Sequence, residues 1–413
     1  MKVATQRAID RLAGSVICRI LSWLSSSRQR QSPPVRRILI VLLSEMGSLT
    51  MTWPMISRLR QKYPEATLNI LTFRRNVEII NIIGLTEPEN IRAIDDQSLW
   101  TLMADSFKIM GQLRRQRPDV AIDCELFSRI SAIFSWFSGA PARVGFYRYT
   151  QEGLYRGDFI NRPVLYNPYL HISRQFINLV EAVDGSDVPN CKQPVSDQAP
   201  VMPEIMITEA EKQAVSNRLQ ERFPHFTMGQ RPLVVLHPGG GLLPIRAWPP
   251  AYYRNIAAAL TKAGYAIVVT GPPEDSGLAR EIAAVCLPGT FMDLTGFTRT
   301  LRELLVVFSL SCLLITNDGG PGHFAGLVSL PSIILYGPET PVLYGALNRK
   351  AVNFFAGWAC SPCLTAYNHR NSPCDGNNRC LQAIKPETVL DQALTMLAEG
   401  SAGSPAAVSG IET

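Results

Sequence analysis

His237-Pro-Gly-Gly-Gly241 and, further along, Asn317-Asp-Gly-Gly-Pro-Gly-His323 carry the residue types in this chain that could do chemistry. Each follows a short apolar run, Leu233-Val-Val-Leu236 and Leu313-Leu-Ile-Thr316, that reads as a buried parallel strand. Each then leads into a helical pattern. Glycines at a strand-to-helix turn let backbone N–H groups approach a phosphate closely, and the helix N-terminus favours its charge. Two such turns, one with Asp318 and His323, predict a nucleotide diphosphate gripped from two sides. One glycine turn alone is an ordinary α/β connection, so the pair carries the reading.

The elements that must position these turns alternate along the chain. Ile38–Leu43 predicts a first strand, Ser44-Glu-Met-Gly-Ser48 its turn, and Leu49–Tyr63 a helix with Pro54 near its start. Leu68–Thr72, Glu89–Ile94 and Val120–Asp123 read as strands, with helices over 99–116, 128–138 and His171–Val183. In the second half, helices over Thr208–Arg222, Pro250–Ala263, Gly277–Val285, Leu301–Leu310 and Pro386–Glu399 separate strands at Ala266–Thr270, Phe291–Leu294 and Ser332–Tyr336. This alternation predicts an α/β protein of doubly wound parallel sheets. At 413 residues the chain suggests two domains: 35–204, whose Asp/Pro/Ser-rich end 184–204 is a linker, and 205–399. A cleft between them is the natural ligand site. The small-residue tail 400–413 is expected to be disordered.

The net charge is +6, but residues 1–37 alone hold eight Lys and Arg against Asp10, a net of +7, so the remainder is about −1. A near-neutral body argues against nucleic-acid binding. Within the basic segment 1–34, Ile9, Leu12, Ala13, Val16, Ile17, Ile20, Leu21 and Leu24 follow the spacing of one helix face. Arg19 interrupts the stretch, which is too short for a membrane span, and no cleavage site for a signal peptide follows it. Two readings remain: a helix lying on the cytoplasmic face of an anionic membrane, or one docked on the protein's own body.

The nine cysteines do not form a secreted framework and fit a reducing cytosol. Cys360, Cys363, Cys374 and Cys380 fall in one short segment, with His369 inside it. Four thiolates suit tetrahedral zinc, while the spacing equally fits unligated thiols, the reading adopted here.

Over roughly residues 35–395 the chain resembles the heptosyltransferase-type glycosyltransferases, glycosyltransferase family 9. The resemblance rests on the Ser-x-Met-Gly turn, Arg143-Val-Gly-Phe146, the His171 helix, His237-Pro-Gly-Gly-Gly, Arg246-Ala-Trp-Pro249, Gly271–Glu274, Asp293-Leu-Thr-Gly296, Thr316–His323 and Tyr336-Gly-Pro338. It implies the GT-B architecture, two Rossmann-like domains facing each other across a cleft. It also implies inverting transfer from a nucleotide sugar, an ADP-sugar by family habit, with no obligatory metal or other cofactor. The acceptor would be lipopolysaccharide, another cell-surface glycan or a lipid-linked sugar. The donor would meet His237, Gly239, Gly240, Arg246, Glu274, Asp318, Gly320, Pro321, Gly322 and His323. Arg246 would neutralise phosphate, and Glu274 would accept from ribose hydroxyls. Each has a plainer role open to it: His237 can cap its turn, Asp318 can cap the following helix, and Trp248 suits packing.

One departure matters. The family's base, which takes the acceptor hydroxyl proton, is an aspartate directly after the glycine of the first turn. Here Ser48 follows Gly47, and Glu45 is the turn's one carboxylate. Glu45 as the replacement base predicts an active enzyme. Glu45 as a mere helix-start residue predicts a donor-binding scaffold. Another GT-B activity, a sugar-nucleotide epimerase, would need acid/base carboxylates that the sequence does not single out.

Overall fold

The computed structural model describes residues 10–25, 34–43, 46–126, 128–147, 155–185, 190–194, 201–241, 243–368 and 370–402. The chain divides into two compact units. One is 1–203 together with Val342–Gly345 and Leu364–Ser372; the other is Glu204–Pro341, Ala346–Cys363 and Pro373–Thr413.

The first half runs α1 (Ser15–Leu24), β1 (Arg37–Val41), α2 (Met46–Thr50), α3 (Trp53–Lys62), β2 (Thr67–Phe73), α4 (Val77–Ile83), β3 (Ile91–Ile94), α5 (Leu99–Gln116), β4 (Val120–Asp123), α6 (Arg129–Phe137), β5 (Ala142–Tyr147), β6 (Arg162–Leu165) and α7 (Ile172–Glu181). The sheet order is β3-β2-β1-β4-β5-β6, and every pairing is parallel. Ile38–Val41 is fully buried because helices cover both faces. Leu39 and Val41 pack with Ile109 and Leu113 of α5 and Phe134 of α6.

The helix expected over 49–63 is two helices, α2 starting at Met46 and α3 at Trp53. Pro54 explains the break: it lacks an N–H, and its ring would strike the carbonyl four residues earlier. Thr50 and Thr52 hydroxyls turn back onto the Gly47 and Leu49 carbonyls at the joint. Strands β5, β6 and β12 escape the periodicity for local reasons. In β5, Gly145 leaves room for Asp123, whose Cβ would lie 3.5 Å from an added methyl. β6 is an edge strand, which tolerates Pro163.

The N-terminal helix docks on its own unit. Asp10, in the turn before α1, accepts from the Arg129 and Ile130 amides at 2.9 and 2.8 Å and so caps α6. Cys18 and Leu21 join Ala132, Phe159 and Ile160 in a small core. Ser22 accepts from the Tyr155 hydroxyl and the Asp158 amide, both at 2.8 Å, and Ser25 accepts from the Trp136 indole at 2.7 Å. The docked edge is narrow. Leu12, Val16, Ile17, Ile20 and Leu24, most of the stripe read from sequence, stay exposed. No described helix is long and apolar enough to cross a membrane.

The second half runs α8 (Glu209–Arg222), β7 (Leu233–His237), α9 (Pro250–Lys262), β8 (Ala266–Gly271), α10 (Ser276–Ala283), β9 (Phe291–Thr295), α11 (Leu301–Ser309), β10 (Leu313–Asn317), α12 (Gly320–Ala325), β11 (Ser332–Tyr336), α13 (Pro341–Tyr344), β12 (Ala351–Phe355), α14 (Arg379–Gln382) and α15 (Pro386–Ala402). Its sheet order is β12-β11-β10-β7-β8-β9, again parallel throughout. Trp248, Tyr253, Leu260 and Val389 cover one face with Val234, Leu236, Ile315 and Ile333. The disorder expected from residue 400 does not hold for the first residues of the tail, because α15 continues to Ala402; residues 403–413 lie outside the described residues.

Candidate active site

The two glycine motifs of the opening are brought side by side. Strands β7 and β10 pair with Thr316 opposite His237, at the point where the strand order of the second sheet reverses. Open α/β sheets present ligand-binding groups at the carboxyl ends of strands at such a switch point.

Asn317 ties the two turns together. Its amide N–H groups donate to the Pro238 and Gly239 carbonyls at 2.8 and 3.1 Å. Its amide oxygen accepts from the Trp248 backbone and the Tyr253 hydroxyl, each at 3.0 Å. All the bonding capacity of a buried amide is thereby used. This role is invisible in sequence because its partners are 64–79 positions away. Trp248 is a packing residue, 1% exposed, with its indole donating to the Leu381 and Ile384 carbonyls.

Beside Asn317, three charges are buried together. Arg246 lies 3.5 Å from an Asp318 carboxylate oxygen and 2.9 Å from Glu339, and no side chain of the three exceeds 7% exposure. Asp318 therefore faces Arg246. The N-cap of α12 is Gly319, without a side-chain cap. His323 is buried in α12. Glu339 went unread in sequence; its signal was an acid directly after Tyr336-Gly-Pro338.

The glycines divide by role. A methyl on Gly322 would fall 2.7 Å from Ile334 Cδ1, so this glycine lets α12 sit against β11. A methyl on Gly239 would fall 2.2 Å from Asp275 Oδ2, so the first turn is shaped around a carboxylate. A methyl on Gly240 would fall 2.8 Å from Pro244 Cα. Burial, then the neighbouring Glu274, raises the Asp275 pKa. Glu274 itself is exposed, and Asp275 is the acid that reaches the turn. His237 Nδ1 lies 3.0 Å from the Thr270 hydroxyl. Burial pushes its pKa down to about 4, so the ring is neutral at pH 7 and can hydrogen-bond but not neutralise a phosphate.

The first unit has its own switch point, between β1 and β4. There the Leu43 amide donates to Glu125 Oε1 at 2.6 Å, so a carboxylate that the sequence reading passed over holds the end of β1. Below it, the fully buried Arg156 pairs with Asp123 and donates to the Glu125, Ser128 and Phe146 carbonyls. Burial raises the Asp123 pKa against the pull of Arg156. Ser48 lies in α2, half-buried. Glu45, the proposed base, lies outside the described residues, as does His369.

Cys360 and Cys374 are exposed, Cys363 is half-buried and Cys380 is buried. Among the described residues no group of three or more His, Cys, Asp or Glu could hold a metal ion.

The family model described as Glycosyltransferase family 9 (heptosyltransferase) matches residues 106–372. Lipopolysaccharide heptosyltransferase 2 of Escherichia coli (strain K12) is 23% identical over 382 residues, covering 89% of this chain and 100% of that protein. Among solved structures, E. coli ADP-heptose LPS heptosyltransferase II aligns with a TM-score of 0.67 at 22% identity, covering 88% of this chain and 99% of that one. E. coli heptosyltransferase WaaC with ADP aligns at 0.62 and 17% identity, covering 87% and 99%. The structural likeness establishes the GT-B fold, and the family match spans most of this chain. The chain belongs to glycosyltransferase family 9, the heptosyltransferase family, and is a glycosyltransferase.

Proposed function

We propose that this enzyme moves a sugar from an ADP-sugar to a lipopolysaccharide-type acceptor with inversion at the anomeric carbon. The observation that carries the proposal is the meeting of both glycine motifs and the Arg246–Asp318–Glu339 cluster at one switch point. A relative solved with ADP supports the choice of nucleotide, and the lipopolysaccharide relatives support the acceptor.

In this reading the second unit holds the donor. Backbone N–H groups at Gly320 and Gly322 and the Arg246 guanidinium take up charge on the diphosphate as it leaves. Neutral His237 orients a donor oxygen by hydrogen bonding, and the 274–275 turn meets the nucleoside. The first unit holds the acceptor. Glu45 takes the hydroxyl proton while the oxygen forms its bond to the anomeric carbon, and the C–O bond to the diphosphate breaks on the opposite face. Glu125 positions the end of β1 that carries this turn. The exposed apolar residues of α1 rest on the cytoplasmic face of the membrane that carries the acceptor.

The test is a panel of ADP-, UDP- and GDP-sugars with a heptose-deficient lipopolysaccharide core as acceptor, read by nucleoside diphosphate release and acceptor mass. Turnover confined to ADP-sugars supports the reading. Binding of ADP-sugars without turnover on any acceptor would favour a scaffold instead.

A further inference from the structure

Helix α5 has an unusual second apolar face. Its core side is already accounted for: Ile109 and Leu113 are buried, with Leu102 and Met110 packed beside them. Yet Leu99, Trp100, Met103 and Phe107 also line its outer side, Trp100 at 81% and Phe107 at 67% exposure. Their spacing places them on one stripe of the helix. Single exposed apolar residues are ordinary; a run containing Trp and Phe marks an interaction surface.

The position of α5 relates this stripe to α1. Helix α1 packs on α6, and α6 packs on α5, so α6 links the two stripes. Trp23 of α1 is 86% exposed, and Val16, Ile20 and Leu24 are exposed beside it. Around these stripes Arg11, Arg19, Lys108, Arg114 and Arg115 are exposed. The acidic residues of the same elements are engaged elsewhere: Asp10 caps α6, and Asp105 lies 3.5 Å from Arg74. The outer layer is thus apolar and basic at once.

We infer that α5 is a second membrane contact, acting together with α1 to seat this face on an anionic bilayer. Tryptophan and phenylalanine suit the headgroup boundary, and the surrounding bases suit anionic lipid. A second copy of the chain fits the face less well, because a two-fold contact would set the same basic groups against each other. The inference rests on the membrane reading of α1 for its occupant and adds the residues of α5.

The experiment is co-sedimentation of the full chain with vesicles of phosphatidylcholine and phosphatidylglycerol at low salt, compared with pure phosphatidylcholine. Deleting α1 would uncover Phe159 and Ile160 and remove the cap on α6, so point substitutions are used. W100S/F107S and I20S/W23S should each lower the bound fraction at least fivefold while circular dichroism and ADP binding stay unchanged. Raised salt should release the wild type. Loss of binding in I20S/W23S but not in W100S/F107S would overturn the α5 inference and leave the α1 reading standing. No vesicle binding by wild type would overturn both. Equal, salt-insensitive binding to neutral vesicles would overturn the anionic occupant. A wild-type dimer in sedimentation that W100S/F107S dissociates, without vesicle binding, would assign the face to a second copy.

Discussion

Arg246 and Glu339 form a 2.9 Å ion pair with side chains 7% and 2% exposed, and Asp318 approaches the same guanidinium at 3.5 Å. Two carboxylates thus share one buried cation, beside the turn proposed to hold a diphosphate. Of these three groups one is cationic and two are carboxylates, so an incoming phosphate and Glu339 would compete for Arg246.

Glu339→Gln should therefore bind ADP about three- to tenfold more tightly. It keeps the shape and an acceptor for Arg246 while removing one of two charges that repel phosphate. Titration calorimetry checks this. Weaker binding would mean that Glu339 orients Arg246 for the donor and does not compete with it.

Arg246→Ala should behave differently. Removing the cation leaves Asp318 and Glu339 buried without their shared counter-charge, a loss of about 3–5 kcal/mol. Urea denaturation should show a lower midpoint with an unchanged slope. A loss below about 1 kcal/mol would show that the carboxylates take up protons or water in its place.

Asn317→Asp replaces two donated bonds with a charge facing the Pro238 and Gly239 carbonyls. A destabilisation of about 2–4 kcal/mol is expected from unmade bonds and buried charge. ADP affinity should fall with it, since the amide fixes the first turn to β10. Stability equal to wild type would mean that the two turns are held by packing alone.

Acid should expose His237. The unfolded imidazole protonates near its usual 6.5, while the folded one resists until about 4. Between those values the unfolded chain binds more protons, so stability falls as pH falls through the window, by on the order of 3 kcal/mol. Asp123, raised by burial to about 6, works in the opposite sense from there down to its usual 3.8, over most of the same window. His237→Gln should flatten the fall in melting temperature from pH 6.5 to 4. An unchanged profile would place the acid sensitivity elsewhere.

The fold was largely legible because buried parallel strands are unbroken apolar runs: Ile38–Val41, Leu233–Leu236 and Leu313–Thr316 announce themselves. Strands β5, β6 and β12 did not: Gly145 interrupts β5, and the edge strands β6 and β12 are only partly buried and carry Pro163 and Asn353. At the site, the motifs gave His237, Arg246 and Asp318. Asn317 and Glu339 lay in or beside those motifs, but their pairing with Pro238 and Arg246, like the approach of Asp275 to Gly239, rests on contacts between distant positions that no local pattern encodes. The α1 stripe was read correctly as apolar, but periodicity alone did not foretell that a polar edge of Asp10, Ser22 and Ser25 would do the docking.

The reaction proposed for this enzyme sends the acceptor proton to the carboxylate of the first turn. The most direct measurement is single-turnover transfer from an ADP-sugar by wild type, Glu45→Gln and Glu125→Gln, with ADP affinity measured in parallel. Glu45→Gln should lose about 10²–10⁴ in rate at unchanged ADP affinity, the usual contribution of a positioned base. Glu125→Gln should lose less, because it acts through the end of β1. Full turnover in Glu45→Gln would contradict that role, and a loss confined to Glu125→Gln would move the base to the turn after β4.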